Sequence, residues 1–284
     1  MQLYCTHDLH IMSRQKSESA IGFPPPLLGE VPWRMPILAQ DPEQAWCALN
    51  KPANIALRDF PWDRHLPNMD AALNLQLQAG KPELLRRNAD LFGSIYYLDP
   101  CISGVALFAE NRERLSELRN AFGSGNLQFH FTFIAKADPS ALAEPLSAEA
   151  PLLVHNTKPK MIPSTAKGKK ALTHFQPLSN DTGPYCLWEA KTAFFRPHQV
   201  RAHAATHGIP VIGDVLYGAE AIPAQIKRAS GRKRTEFTQD TADVALPIHL
   251  QRVCLEDGRT IEAPYPRHFL HLLRRLNLQD TLMA

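Results

Sequence analysis

Short apolar segments separated by polar turns run along most of this chain. One of them, residues 127–137, alternates aromatic and other residues, so that Phe129, Phe131 and Phe133 share one face. Alternation of this kind, and short apolar runs bounded by turn residues, are typical of buried strands. The strands that these patterns predict are 36–41, 45–51, 95–98, 105–109, 127–137, 171–175, 185–190, 209–214, 248–250, 253–255 and 260–262.

Helical spacing occurs in fewer places, between those strands. Apolar residues recur at helical intervals over 68–80, 111–122 and the segment after Pro266. A further helix is predicted over 197–208, with Pro197 at its first position and Gly208 at its end. Because the helices are inserted irregularly and no internal repeat is evident, the chain is predicted to be α+β, with a central, mostly antiparallel mixed sheet flanked by helices.

The length of 284 residues suits one large domain or two small ones. Residues 1–34, with a proline-rich stretch at 23–28, are predicted to form an N-terminal extension, and residues 35–284 the main domain.

Composition narrows the class of protein only a little. A net charge of +3 permits a nucleic-acid partner without arguing for one. The five cysteines are scattered without a CxxC pair, which argues against disulfides and thiolate zinc sites and predicts a reduced, cytoplasmic protein. The sequence contains no apolar run long enough for a membrane span, so no membrane association is expected.

Asp99 is the candidate functional residue that the hydrophobic pattern isolates. It lies between two apolar runs, next to the turn residues Pro100 and Ser103-Gly104. A carboxylate in a buried setting is costly unless it has a partner or a chemical task. From spacing alone, a turn residue that binds its own backbone is the simpler reading.

Basic and histidine residues offer two further candidates. Lysines crowd residues 158–170, either as a solvated loop or as phosphate contacts, and Lys51 stands at a strand end with the same two readings. His203 and His207 are four residues apart on a predicted helix, a spacing that can bind zinc. Without a nearby third ligand, ordinary polar positions are favoured, so that a metal-dependent hydrolase built on His198, His203 and His207 has little support.

Several motifs, taken in order from about residue 35 to the C-terminus, resemble those of the RluA-type RNA pseudouridine synthases. That family has an N-K-P-A-G start, an H-R-L-D-x-x-T-S-G segment, a K-x-Y-x-A strand and a T-G-R-x-H-Q-I-R-x-H helix followed by G-x-P-I-x-G-D-x-x-Y-G. The matching residues here are Asn50-Lys51-Pro52, Leu98-Asp99, Ser103-Gly104, Arg196-x-His198-Gln199-Val200-Arg201-x-His203 and the G-I-P-V-I-G-D-x-x-Y-G run at 208–218. Any one motif would be weak, but their common order makes the resemblance specific.

The resemblance implies a fold with an RNA-binding cleft and an activity that needs no metal or cofactor. The glycosidic bond of a uridine in rRNA or tRNA is broken, the base turns, and C5 is joined to the sugar. Asp99 would be the catalytic carboxylate, which could stabilise positive charge at C1′, add to C1′ or remove the 2′ proton. It would have to be ionised, a state that a nearby Arg201 would favour.

Other matched positions are expected to contact the RNA. These substrate-binding candidates are Lys51, Tyr97, Phe131, Arg196, His198 and Val200. No protein partner is predicted, and the chain is expected to act as a monomer.

The sequence departs from the family pattern at the RNA-reading positions. Tyr96-Tyr97 replaces the H-R, whose arginine is associated with RNA binding and with holding the displaced base stack. Ile102-Ser103 replaces T-S, Phe129 and Phe131 stand at the K and Y of the strand motif, and Phe194-Phe195 replaces T-G. These changes leave an alternative open, which is a catalytically silent RNA-binding protein on the same scaffold.

Overall fold

The computed structural model describes residues 20–136, 145–178, 183–222 and 245–279, and eleven of the strands in these ranges form one sheet. The strands are β1 (Ala20–Phe23), β2 (Trp33–Asp41), β3 (Trp46–Lys51), β4 (Gly93–Ser94), β5 (Ser103–Ala109), β6 (Gln128–Lys136), β7 (Leu146–Ala148), β8 (Leu152–Val154), β9 (Met161–Pro163), β10 (Thr173–Pro177), β11 (Tyr185–Thr192), β12 (Ile248–Cys254) and β13 (Thr260–Glu262). The helices are α1 (Met69–Gln78), α2 (Pro82–Leu85), α3 (Arg112–Gly123), α4 (Gln199–Thr206) and α5 (Arg267–Arg275), with a 3-10 turn over Val215–Tyr217.

The sheet has the order β1-β2-β3-β5-β12-β6-β11-β10-β7, with β4 on β5 and β13 on β12. Its only parallel pair among the described strands joins β5 to β12. The predicted α+β class with a mixed, mostly antiparallel sheet is therefore confirmed. β12 lies between β5 and β6, two strands that come much earlier in the sequence.

Gly104 makes the parallel contact between β5 and β12 possible. Its φ is +126°, and a Cβ placed there would lie 2.1 Å from the carbonyl oxygen of Leu250. Any larger residue would clash with backbone and would also be strained at this φ. The Ser103-Gly104 pair noted in the sequence thus fixes how two central strands approach each other.

Aromatic side chains fill the interior on one face of the central strands. Phe129, Phe131 and Phe133 of β6 are all buried, as the alternation predicts. Phe129 and Phe131 pack edge-on against Phe195, with ring centroids 5.0 and 5.3 Å apart. Edge-to-face contacts of this kind add to the free energy gained from burial alone.

Two of the predicted strands were wrong. Over 95–98 the chain leaves the sheet after Ser94, and the buried Tyr96 hydroxyl, not a backbone amide, donates to the carbonyl of Val105 at 2.7 Å. Over 209–214 only Val211 makes a β-bridge, to Ala135. In both segments the apolar run reflects burial in irregular backbone, which periodicity does not distinguish from a buried strand.

The basic segment at 158–170 contains more structure than a loop. β8 and β9 form a small antiparallel hairpin at its start, and Leu152 and Met161 are buried beneath it. Lys158 and Lys160 lie in the connection between β8 and β9, and the other three lysines follow β9.

The sheet continues across the predicted domain boundary at residue 34. β1 pairs with β2, which begins at Trp33, and Ile21 and Phe23 belong to the core. Residues 1–19 lie outside the described part of the chain. The division into an extension over 1–34 and a domain over 35–284 stays a prediction.

No helix in the described ranges is both long and apolar enough to cross a membrane. Four of the five cysteines fall in these ranges, and Cys47, Cys101, Cys186 and Cys254 are all free thiols.

His249 on β12 is buried in its neutral form and gives a first prediction. Its Nε2–H donates to the carbonyl of Ala263 at 3.1 Å, and its Nδ1 accepts from the Ser103 hydroxyl at 2.8 Å. Burial lowers the pKa of His249 to about 4. Because the unfolded chain takes up a proton near pH 6.5 and the folded chain does not, lowering the pH from 6.5 to 4.5 removes about 2 kcal/mol of folding stability through this group.

Urea denaturation at the two pH values measures this effect. The wild-type protein is expected to lose about 2 kcal/mol more of its unfolding free energy than the His249→Gln variant, whereas a change of the exposed His65 to Gln leaves the loss unaltered. Equal losses in the wild type and in His249→Gln would show that His249 is not held neutral.

Candidate active site

Asp99 lies at the centre of a buried polar cluster. Only 2% of it is exposed. Its Oδ1 accepts from the backbone N–H of His198 at 3.1 Å, and its Oδ2 accepts from Nη1 of Arg201, also at 3.1 Å. The side chain binds a segment about a hundred residues away, not its own turn, so the simpler reading of Asp99 as a turn residue does not describe it.

Arg201 lies between two carboxylates. Its Nε and Nη2 donate to the two oxygens of Asp214 at 2.7 and 2.9 Å, while its Nη1 reaches Asp99. Burial disfavours the charged guanidinium, but the nearby acidic groups raise the pKa of Arg201 well above its ordinary value. Asp214 fixes the plane of the guanidinium through this fork, and Arg201 in turn orients Asp99.

His198 adopts an unusual backbone conformation that directs its amide N–H toward Asp99. The helix was predicted to begin at Pro197, but α4 begins at Gln199, and His198 is its N-cap residue with φ of 57° and ψ of 7°. This left-handed conformation, which is rare for a residue with a side chain, turns the amide of His198 toward Asp99. The strain is held by the contacts of the cluster, a pattern that is common at functional sites.

The imidazole of His198 is fixed as a neutral group. Burial lowers its pKa to about 4, although Asp99 acts in the opposite direction. Its Nδ1 lies 3.1 Å from the hydroxyl of Tyr217, and its Nε2 lies 3.7 Å from Oδ2 of Asp99. A tautomer with the proton on Nε2 directs that N–H toward the carboxylate and leaves Nδ1 to accept from Tyr217.

Lys51 is a buried neighbour of this cluster and not a surface cation. It is 0% exposed, and its Nζ donates to the carbonyls of Pro52 and Pro100, each at 3.0 Å. Burial lowers the pKa of Lys51 to about 7, while Cys101 and Asp99 act in the opposite direction. Both readings made from the sequence, a solvated flank and a phosphate contact, require an exposed ammonium group. Through these two hydrogen bonds, Lys51 instead connects the end of β3 to the turn after Asp99.

A cavity of about 610 Å³ opens beside the cluster. This volume is within the usual range for sites that bind small molecules or single residues of a polymer. Asp99 itself is not among the lining residues, but Pro100 and Cys101, which follow it in the chain, and Arg201, which contacts it, are. The lining residues that bear on the site are Phe60, Pro100, Cys101, His198, Arg201 and Asp214.

The remaining predicted site residues are only partly brought together. Val200 is buried in the core beside the cluster, and Phe131 is buried against Phe195, so neither presents a surface to the cavity. Tyr97 is half-buried, with its ring stacked on Phe60 at a centroid distance of 6.4 Å. Arg196 is half-exposed, and its Nε donates to the carbonyl of Lys170 at 3.0 Å, which attaches it to the end of the basic segment.

His203 is not available as a zinc ligand. Its Nδ1 is 2.9 Å from the hydroxyl of Thr173, and its Nε2 donates to the carbonyl of Ala150 at 2.8 Å. Within the described ranges, no group of three or more His, Cys, Asp or Glu side chains is placed to hold a metal ion.

Sequence reasoning did not single out three features of this site. Asp214 was noted only as part of the G-D motif, although an acid that follows so soon after a helix arginine is a candidate ion-pair partner. Tyr217 was noted only as part of the run at 208–218, yet its hydroxyl binds both His198 and the backbone of Met161. Phe60 and Trp62 gave no periodic signal, because they project from a turn.

Comparison with known proteins identifies a family and several relatives. Residues 46–206, more than half of the chain, match the family described as RNA pseudouridylate synthase. The chain is 30% identical over 174 residues to the ribosomal large subunit pseudouridine synthase D of Borreliella burgdorferi, with coverage of 60% of this chain and 51% of that protein. It is 25% identical over 244 residues to the protein of the same name from Haemophilus ducreyi, with coverage of 80% and 72%.

Two solved human structures share the fold. Human RNA pseudouridylate synthase domain containing 4 superposes with a TM-score of 0.62 at 20% identity, covering 85% of this chain and 92% of that one. Human RNA pseudouridylate synthase domain containing 1 gives a TM-score of 0.52 at 19% identity, covering 85% and 87%. The chain spans only about half the length of the Borreliella relative.

Proposed function

The chain belongs to the RNA pseudouridylate synthase family, and we propose that it is an active RNA pseudouridine synthase with Asp99 as its catalytic carboxylate. The observation that carries this proposal is the buried contact of Asp99 with Arg201 and with the amide of His198, next to an open cavity. A buried cluster of three charged side chains, Asp99, Arg201 and Asp214, is costly to maintain, and its position beside the cavity supports a catalytic role.

The geometry suits a reaction in which positive charge develops on a sugar. Breaking the bond between C1′ and N1 leaves the sugar electron-poor, and a carboxylate held against C1′ stabilises that charge. Asp99 has one donor on each oxygen, so each oxygen keeps a lone pair for the substrate. Arg201 and the His198 amide hold the carboxylate in a fixed orientation, so that little reorganisation is needed when the charge forms.

The RNA backbone is proposed to run over the basic segment beside the cavity. Pro159, between Lys158 and Lys160, is one of the cavity-lining residues, and Lys160 lies over the Tyr217 ring at 5.9 Å. Exposed lysines continue toward Arg196. These cations are placed to bind phosphates while the target base leaves its stack and enters the cavity, a step that costs a few kcal/mol. Lys51 is assigned a positioning role in place of a phosphate contact.

The substrate is proposed to be rRNA, with tRNA as the second candidate, since the named relatives act on the large ribosomal subunit according to their names. We further propose that the protein works as a monomer in the cytoplasm, where its free cysteines stay reduced.

Pseudouridine mapping of cellular RNA tests the proposal. RNA from cells that lack this protein is compared with RNA from cells in which the wild-type chain or Asp99→Asn is restored. At least one pseudouridine is expected to disappear without the protein and to return only with the wild type. If no position changes, catalysis fails, and RNA crosslinking that is unchanged by Asp99→Asn would then favour the catalytically silent RNA-binding alternative.

A further inference from the structure

Two aromatic rings project from one tight turn at the edge of the cavity. The turn runs from Phe60 to Asp63, and the N–H of Asp63 donates to the carbonyl of Phe60 at 3.2 Å. Pro61, inside the turn, restricts the backbone further. The base of the turn is attached to α1, because Nδ2 of Asn68, the N-cap residue of that helix, donates to Asp59 at 3.2 Å. The two rings are therefore held in place before any ligand binds.

These rings form part of a continuous aromatic series. The ring of Phe60 is stacked on that of Tyr97 with an interplanar angle of 15°, and its edge meets Trp62 at a centroid distance of 5.4 Å. Trp62 in turn lies 4.6 Å from the ring of His198. Phe60 lines the cavity and remains half-exposed, so that it presents apolar surface to whatever occupies that space.

The position of this series matters because the family's arginine is missing here. Tyr97 stands where that arginine is expected, and its ring lies nearly parallel to that of Phe60 at a centroid distance of 6.4 Å. A uridine that leaves its stack also leaves a neighbouring base without a stacking partner, and an aromatic ring can replace that partner without reading its sequence. Phe60 and His198 are the rings of this series that line the cavity, and of the two only Phe60 keeps a substantial exposed surface.

We propose that Phe60, supported by Tyr97 and Trp62, is the stacking surface for an unpaired RNA base next to the target uridine. This inference rests on the proposed function. The target uridine itself must bring its sugar to Asp99, whereas Phe60 lies on a separate turn at the edge of the cavity and contacts Tyr97, two residues before that acid. The Phe60 subsite therefore lies beside the position of the reacting nucleotide and takes its neighbour.

The contact between Trp62 and His198 gives the aromatic series a second role. A preformed surface loses little conformational entropy when a base stacks on it. Trp62 holds Phe60 edge-on and at the same time shields the neutral imidazole that faces Asp99. One turn therefore links recognition of the flanking base to the geometry of the catalytic cluster.

Fluorescence of 2-aminopurine tests the stacking directly. The probe is a single-stranded RNA oligonucleotide with 2-aminopurine next to a uridine, and all proteins include Asp99→Asn, so that binding is measured without turnover. Phe60→Ala and Phe60→Leu are expected to weaken binding by about 5- to 50-fold and to lose most of the quenching, since stacking is lost in both. Phe60→Trp is expected to restore both within about threefold, because it retains an aromatic face.

Two results would overturn the inference. One is a Phe60→Leu protein that binds and quenches like its parent, since apolar bulk alone would then suffice. The other is equal weakening by Leu85→Ala, a change at an exposed position on α2 with no assigned role. Thermal unfolding of each variant confirms that it is folded. Because every measurement is of binding, the subsite stands or falls separately from catalysis. Loss of binding in Phe60→Ala, together with no pseudouridine-forming activity in the protein that retains Asp99, would reject the enzyme but keep the subsite.

Discussion

Asp99→Asn is expected to reduce pseudouridine formation by a factor of at least about 10³, while the protein stays folded and still binds RNA. Asparagine has nearly the shape of aspartate and keeps an acceptor for the amide of His198, and Arg201 retains its fork to Asp214. What is lost is the negative charge and the acceptor for Nη1 of Arg201. The effect is therefore expected to fall mainly on the chemical step.

Release of tritium from RNA labelled at C5 of uridine measures that loss, since C5 exchanges its hydrogen for the sugar carbon. Gel-shift affinity and thermal unfolding are measured on the same preparations. Asp257→Asn, which changes an exposed acid paired with Arg259, serves as the matched control and is expected to keep full activity. Activity in Asp99→Asn above a tenth of the wild type would remove Asp99 from the catalytic role.

Asp214→Ala is expected to reduce both stability and activity. It leaves Nε and Nη2 of the buried Arg201 without acceptors and leaves the guanidinium to Asp99 alone. Breaking a buried ion pair from one side costs about 3–5 kcal/mol, far more than an exposed pair contributes. Activity should fall by about 10²-fold beyond any loss of folded protein, because Arg201 no longer orients Asp99.

Chemical denaturation separates this effect from a general loss of charge. Glu220→Ala removes an acid from an exposed pair with Lys136, at 3.4 Å, and is expected to cost less than about 1 kcal/mol. Asp214→Asn, which retains one acceptor, should lie between the two. If Asp214→Ala and Glu220→Ala have the same unfolding free energy, the fork does not stabilise the fold.

The order of motifs was sufficient to predict the contact of Asp99 with Arg201. These residues are far apart in sequence, but each belongs to a segment whose resemblance is specific, and the fold brings the segments together. The α+β class was also predictable. The alternation in β6 and the apolar run of β5 follow directly from which side chains of each strand are buried in the sheet. Patterns set by local repetition were thus visible in the sequence.

Features set by tertiary contact were not visible. The left-handed His198 and the buried Lys51 both depend on where the turn after Asp99 lies, which no local pattern encodes. The apolar run at 95–98 predicted a strand because a buried irregular segment has the same composition. Phe60 and Trp62 escaped notice because a turn has no period.

The position of β12 in the sheet has a consequence for how this protein is made. β12, the strand that joins β5 to β6, is synthesised more than a hundred residues after β6, so the edges of β5 and β6 with which it pairs stay open during that interval. Pairings between distant segments also form slowly. Until β12 is made, the nascent chain therefore exposes the unpaired strand edges of two separate parts of the sheet. Protection of these edges by chaperones is most needed during this interval.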